Sequence, residues 1–224
     1  MTRSLYRHLA PAALLAGAAF VMAPQAAHAQ DYVGLQAGTV MVRLRAIDVA
    51  PLDSSSSISA IGGSVHATNQ FAPELDGSYF FTDNISAEII AATTRHQLQA
   101  RSTALGTVDV GSTYALPPAL TLQYHFFPHE RFEPYVGAGV DAMLFYDNNP
   151  AGPVITKLDV RPALGGVLQV GVDYNVTGHW FLNADVKEIF ISPNARIDTS
   201  LGVNLKAKVA LNPLVAGLGV GYRF

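Results

Sequence analysis

Residues 213–224 (PLVAGLGVGYRF) carry an apolar side chain at every second position: Leu214, Ala216, Leu218, Val220, Tyr222 and Phe224 share one parity, Val215, Gly217, Gly219, Gly221 and Arg223 the other. A period of two is that of a β-strand, whose successive side chains point to opposite faces. The bulky face ends in two aromatics, while the opposite face is mostly glycine with an arginine. A tilted strand crossing a bilayer needs roughly 9–11 residues with the apolar ones outward, and this segment supplies them.

The same alternation recurs along the chain. In residues 32–49, Val33, Leu35 and Ala37 have one parity and Val40, Val42, Leu44 and Ala46 the other. This change of phase predicts a β-bulge near Gly38 or Thr39 and turns Arg43 and Arg45 inward. Residues 71–81 set Leu75, Gly77, Tyr79 and Phe81 against Glu74, Asp76 and Ser78, and residues 85–94 set Ile85, Ala87, Ile89 and Ala91 against Ser86, Glu88, Ile90 and Ala92. Residues 119–127 set Leu120, Leu122, Tyr124 and Phe126 against Thr121, Gln123 and His125. Outward positions are Val136 to Leu144 in steps of two within 134–146, Leu164, Leu168, Val170, Val172 and Tyr174 within 157–175, and Trp180, Leu182, Ala184 and Val186 within 180–191.

Three connections are short (82–84, 128–132 and 176–179) and four are long (50–70, 96–116, 147–156 and 192–205), in strict alternation. Seven connections join eight strands. Outer-membrane barrels have short periplasmic turns, long external loops and an even strand number. A soluble β-sandwich, the competing architecture, has no reason to sort its connections by length. The fold class predicted is therefore all-β, an eight-stranded antiparallel up-and-down transmembrane β-barrel, with the long connections as polar surface loops. Phe81, Phe126, Tyr174, Trp180, Tyr222 and Phe224 all fall beside the short turns, at the depth where amphipathic rings prefer to sit.

Composition sharpens this picture. Half of the residues are hydrophobic and 14% are charged, yet beyond the N-terminus no apolar run approaches the ~20 residues of a spanning helix. Arg3 and Arg7 precede an apolar run over residues 9–22, and Ala27-His28-Ala29 offers small residues around a cut. Residues 1–29 thus read as a cleaved secretory signal peptide and residues 30–224 as the barrel. Without Arg3 and Arg7, 12 basic residues face 17 acidic ones, a charge of −5 that offers nothing to nucleic acid. The absence of cysteine excludes disulfides, thiolate zinc sites and cysteine nucleophiles. No histidine stands beside a serine and an acid at a catalytic spacing and no cluster has metal-ligand spacing, so neither enzyme activity, metal nor cofactor is expected.

The runs VRLR (42–45), YFFTDNISAEIIAATTRH (79–96), LPPALTLQYHF (116–126), PYVGAGV (134–140), QVGVDY (169–174) and NPLVAGLGVGYRF (212–224) resemble the OmpW family of Gram-negative outer membrane proteins. The resemblance covers nearly the whole exported chain. It implies an eight-stranded barrel in the cell outer membrane, with an unusually apolar interior that binds or passes small hydrophobic molecules; similar AlkL-type proteins are linked to hydrocarbon uptake. The last long connection departs from the family pattern, with Val203, Leu205, Lys206 and Lys208 in place of a more polar stretch.

The inward residues predict how such a barrel would work. Toward the short turns, Arg43, Glu88, His125, Asp141, Asp173, Asp185, Lys187 and Arg223 are expected to pair across the lumen as a polar plug, with His125 within reach of Glu88. Toward the long loops, Ile90, Ala92, Met143, Phe145, Ala163 and Val167 are expected to line a hydrophobic channel, open outside, closed by the plug and emptying sideways into the bilayer. Pro73 and Pro162 mark either a lateral opening or ordinary strand edges. The alternative is a filled, non-conducting barrel that anchors a surface-interaction protein, with its loops contacting a phage, a bacteriocin or a host surface. Tyr222 and Phe224 resemble the C-terminal signal read by the barrel insertion machinery.

Overall fold

The structure, a computed structural model, describes residues 34–52, 55–59, 61–202 and 204–224. The predicted signal peptide, Tyr32, Val33 and Val203 lie outside the described residues. The strands are β1 (Val40–Ala50), β2 (Ser55–Ile58), β3 (Ser64–Ala67), β4 (Gln70–Phe80), β5 (Ile85–Ala92), β6 (Thr94–Thr103), β7 (Gly106–Leu116), β8 (Ala119–His125), β9 (Phe132–Pro150), β10 (Ile155–Val160), β11 (Ala163–Thr177), β12 (Trp180–Phe190), β13 (Asn194–Thr199), β14 (Asn204–Ala210) and β15 (Leu214–Arg223).

Eight of these strands, β1, β4, β5, β8, β9, β11, β12 and β15, pair antiparallel in that order. β15 then pairs back onto β1, from Met41↔Arg223 to Ala50↔Leu214, and closes the ring. Closure gives each of the eight strands a partner on both sides, as a bilayer requires because it has no water to pair with an open edge. Leu44, Ile89, Leu120, Val140, Leu168 and Leu218 point away from the lumen and are 54–69% exposed, a belt that only lipid can cover. At the short-turn rim the exposed rings pair edge to face, Tyr79 with Phe81, Tyr124 with Phe126, and Trp180 and Phe224 with Tyr222.

Two expectations are corrected. The change of phase before Val40 is a turn, not a bulge: Gly38 has φ 92°, and Thr39 N donates to Gln36 O at 3.0 Å. Glycine tolerates this positive φ and lets the chain reverse beneath the barrel. The long connections are also not irregular loops. They carry β2, β3, β6, β7, β10, β13 and β14, which extend the barrel upward as two groups, β10-β13-β14-β2 and the upper part of β9 with β7-β6-β3. There the sense of the alternation is reversed. Leu98, Ala100, Ile197, Leu205, Ala207 and Val209 are buried in a core cluster, while Arg95, Gln97, Arg196, Lys206 and Lys208 lie on the exposed face. A search for apolar residues on the outside misses such strands because above the bilayer the outside is water.

The passage from barrel to extension is marked by proline. Pro51, Pro117, Pro118, Pro162, Pro193 and Pro213 occupy the breaks after β1 and between β7 and β8, β10 and β11, β12 and β13, and β14 and β15. Proline lacks the N–H that a continuous ladder uses, so the staves bend there together.

Candidate functional site

The lumen is built in three layers. At the short-turn end Leu35, Met41, Phe80 and Phe181, each no more than 1% exposed, form an apolar cap. Leu35 is held there by its N–H, which donates to Pro128 O at 2.6 Å. The guanidiniums of Arg43 and Arg223 sit over the Phe181 ring at 5.5 and 5.1 Å from its centroid, so the cap also borders charge.

The second layer is a buried ionic network. Arg43 contacts Asp76 at 3.0 Å and Asp173 at 2.8 Å, and donates to Ser78 Oγ at 2.8 Å. Arg45 reaches Glu74, Asp76, Glu88 and Asp185 at 3.0, 2.6, 3.0 and 3.3 Å. Lys187 contacts Glu74 at 2.7 Å and Asp185 at 2.9 Å. Gln123 donates to Glu88, and Gln169 donates to Asp185 at 2.8 Å, tying the amides of β8 and β11 into the same net. Buried charges need partners of this kind, because desolvation costs more than any one contact returns. Arg43 and Arg45 alternate inward on β1, which puts two guanidiniums at successive levels and makes that strand the hub.

Of the predicted polar residues, Arg43, Glu88, Asp173, Asp185 and Lys187 come together in this layer. Arg223 pairs with Glu133 nearer the cap. His125 does not reach Glu88: its Nε2 lies 3.4 Å from Ser86 Oγ and from Gln123 Oε1, and its ring stacks on Tyr135. Gln123, two residues along the same strand, occupies the Glu88 carboxylate instead. Asp141 is fully buried, and neither carboxylate oxygen has a hydrogen-bond partner among the described residues. The sequence left Glu74, Asp76, Gln123, Glu133, Gln169 and Asn183 out of the plug, although the inward parity of their strands was the available signal.

Above the network lies the third layer, an apolar cavity. Ile90, Ala92, Met143 and Phe145 line it, together with Ile47, Val49, Ala119, Ile189 and Val215, which sequence reasoning did not single out. Ile47 and Val49 continue the parity of Arg43 and Arg45, and Ile189 that of Lys187, so the missed signal was a change of chemistry along one face. Val167 is buried in the same cluster and Ala163 packs against that cluster, but neither borders the cavity as expected. Glu74 and Lys187 are the charged groups of the floor. The cavity has a volume of about 80 Å³. Pro51, Pro117, Pro193 and Pro213 face into it where the staves bend.

Two ladders are interrupted at this height. β4 pairs with β5 only from Glu74↔Ala92 downward, so residues 70–73, including Pro73, pair with β1 alone. β11 pairs with β9 only from Ala163↔Met143 downward, and β10, on the far side of Pro162, pairs with β13 instead.

The sequence profile of the OmpW family matches residues 36–224. The chain is 40% identical over 209 residues to the uncharacterized outer-membrane protein y4mB of Sinorhizobium fredii, covering 93% of this chain and 90% of that one. It is 32% identical over 222 residues to outer membrane protein W of Escherichia coli, covering 96% of each. The crystal structure of the outer membrane protein OprG from Pseudomonas aeruginosa superposes with a TM-score of 0.79 at 28% identity, over 85% of this chain and 98% of that one. A closed eight-stranded barrel with a lipid-facing apolar belt and a match along nearly its whole described length places this chain in the OmpW family of outer membrane proteins.

Proposed function

We propose that the chain binds small hydrophobic molecules from the outside and releases them sideways into the bilayer. The observation that carries this reading is an apolar cavity resting directly on a sealed ionic layer. A water-filled pore would be polar at that level, and a molecule that reached the cavity would find Arg43, Arg45 and the cap barring the way down. The interrupted ladders beside Pro73 and Pro162 support a lateral exit, because the wall there is not held by main-chain hydrogen bonds. Apolar cargo gains from both steps, since leaving water is favourable and lipid is its end point.

The test is uptake of a labelled alkane into liposomes carrying the purified barrel. Transfer by the wild type that is lost in Met143→Asp plus Phe145→Asp supports the reading. Equal transfer by a correctly folded double variant overturns it and favours an anchor with a filled lumen.

A further inference from the structure

The floor of the cavity holds hydrogen-bonding capacity that the ionic network does not use. Glu74 and Lys187 border the apolar space and are only 3% and 2% exposed. Glu74 turns one oxygen, Oε1, to two cations, Lys187 Nζ at 2.7 Å and Arg45 Nε at 3.0 Å. Its other oxygen, Oε2, has no hydrogen bond or ion pair with a described residue. Lys187 Nζ meets Glu74 and Asp185, at 2.7 and 2.9 Å, so one of the three hydrogens of its ammonium is left over. An oxygen that can only accept thus lies beside an N–H that can only donate, both at the edge of an apolar space. Elsewhere in the wall the polar groups engage their own neighbours. Thr94 Oγ1 lies 2.8 Å from His96 Nε2, His96 Nδ1 donates to Thr68 O at 2.7 Å, and Thr113 Oγ1 donates to Asn148 Oδ1 at 2.6 Å.

Unused capacity of this kind selects a ligand by its head. A buried donor or acceptor without a partner is destabilising, so a molecule that satisfies both is held better than one that satisfies neither. An alkane supplies no partner, and an ether or a ketone supplies only an acceptor for Lys187. A hydroxyl supplies both, donating to Glu74 Oε2 and accepting from Lys187 Nζ. An ionised head fares worse, because a carboxylate meets Glu74 and Asp185, and an ammonium meets Lys187 and Arg45, at the same place. We propose that the Glu74–Lys187 pair is a head-group site, which seats the neutral hydroxyl of a small aliphatic alcohol and leaves its apolar body against Ile47, Ile90, Met143 and Ile189. A few polar groups in an otherwise apolar pocket fix a ligand's orientation and give specificity. The proposal rests on the cavity being a binding site for apolar molecules and names the class that it holds best.

The test measures displacement of labelled heptane from the full barrel in nanodiscs by hexan-1-ol and by its isomer 1-methoxypentane, with the concentration of each in lipid calibrated on empty nanodiscs. A hydrogen bond to a charged group contributes about ten-fold in affinity or more, so the alcohol is expected to displace the probe at roughly one-tenth the concentration of the ether. Glu74→Gln keeps an oxygen for Lys187 and Arg45 and turns its amide N–H groups to the cavity. That variant should lose the preference and favour hexan-2-one, an acceptor, over the alcohol. Equal displacement by the two isomers in the wild type overturns the proposal, as does an unchanged preference in the folded variant. The comparison of isomers in the wild type stands by itself if the variant does not fold. Heptane binding without an alcohol preference sinks the head-group site alone. An alcohol preference without alkane transfer into liposomes supports the site and sinks the conduit, and binding of neither heptane nor labelled hexan-1-ol overturns both.

Discussion

Lys187 Nζ lies 2.7 Å from Glu74 Oε1, a contact that crosses the lumen between two strands that are not neighbours in the barrel. It is also the boundary of the site, since both residues face the cavity above while Asp185 and Arg45 hold them from the network. Lys187→Met would leave Glu74 and Asp185 each short of a partner in a dry interior. Breaking one side of a buried pair costs on the order of 3–5 kcal/mol, so the urea midpoint for unfolding in lipid should fall. Adding Glu74→Gln should recover part of the loss.

Asp141 is predicted to behave in the opposite way. Both of its oxygens are buried without a hydrogen bond, between Ala119 and Gly165 in the flanking ladders. An unpartnered buried polar group costs on the order of 1–3 kcal/mol. Asp141→Ala should therefore match or exceed the wild type in stability, whereas Asp173→Ala, which strips Arg43 of a 2.8 Å partner, should be less stable. Thermal unfolding followed by gel mobility compares the two.

Two glycines of β15 should respond differently to alanine. A Cβ at Gly221 would run into the ring of Phe181, and one at Gly219 into the backbone carbonyl of Leu44. Each substitution should cost roughly 1–3 kcal/mol through overpacking. Phe181→Leu should relieve Gly221→Ala because the obstacle is a side chain. No side-chain change relieves Gly219→Ala, where the obstacle is main chain. Yields of refolded barrel for Gly221→Ala, Gly221→Ala/Phe181→Leu and Gly219→Ala check this.

The ladder gap beside Pro73 can be closed by design. Extending the register of Glu74↔Ala92 sets Ala72 opposite Thr94. The chain contains no cysteine, so Ala72→Cys/Thr94→Cys introduces a single pair. Oxidation should slow alkane release to the bilayer while leaving binding in the cavity unchanged, and dithiothreitol should restore release. Unchanged transfer after complete crosslinking would move the exit elsewhere, with the break at Pro162 as the next site to close.

The sequence by itself determined the barrel. The strand count follows from the sorted connections, and the inward or outward sense of each spanning strand follows from a period of two, because lipid outside and a polar lumen inside give the faces unlike chemistry. That parity placed Arg43, Glu88, Asp173, Asp185 and Lys187 in one lumen and Ile90, Ala92, Met143 and Phe145 above them. Only the tertiary structure decided which of these meet. Pairing across the lumen depends on strand order and stagger, so Asp141 proved to be alone, His125 turned to Ser86 and Gln123, and Arg45 became a hub. It also revealed the ordered extension, whose strands keep the same period but reverse its meaning as the surrounding solvent changes from lipid to water.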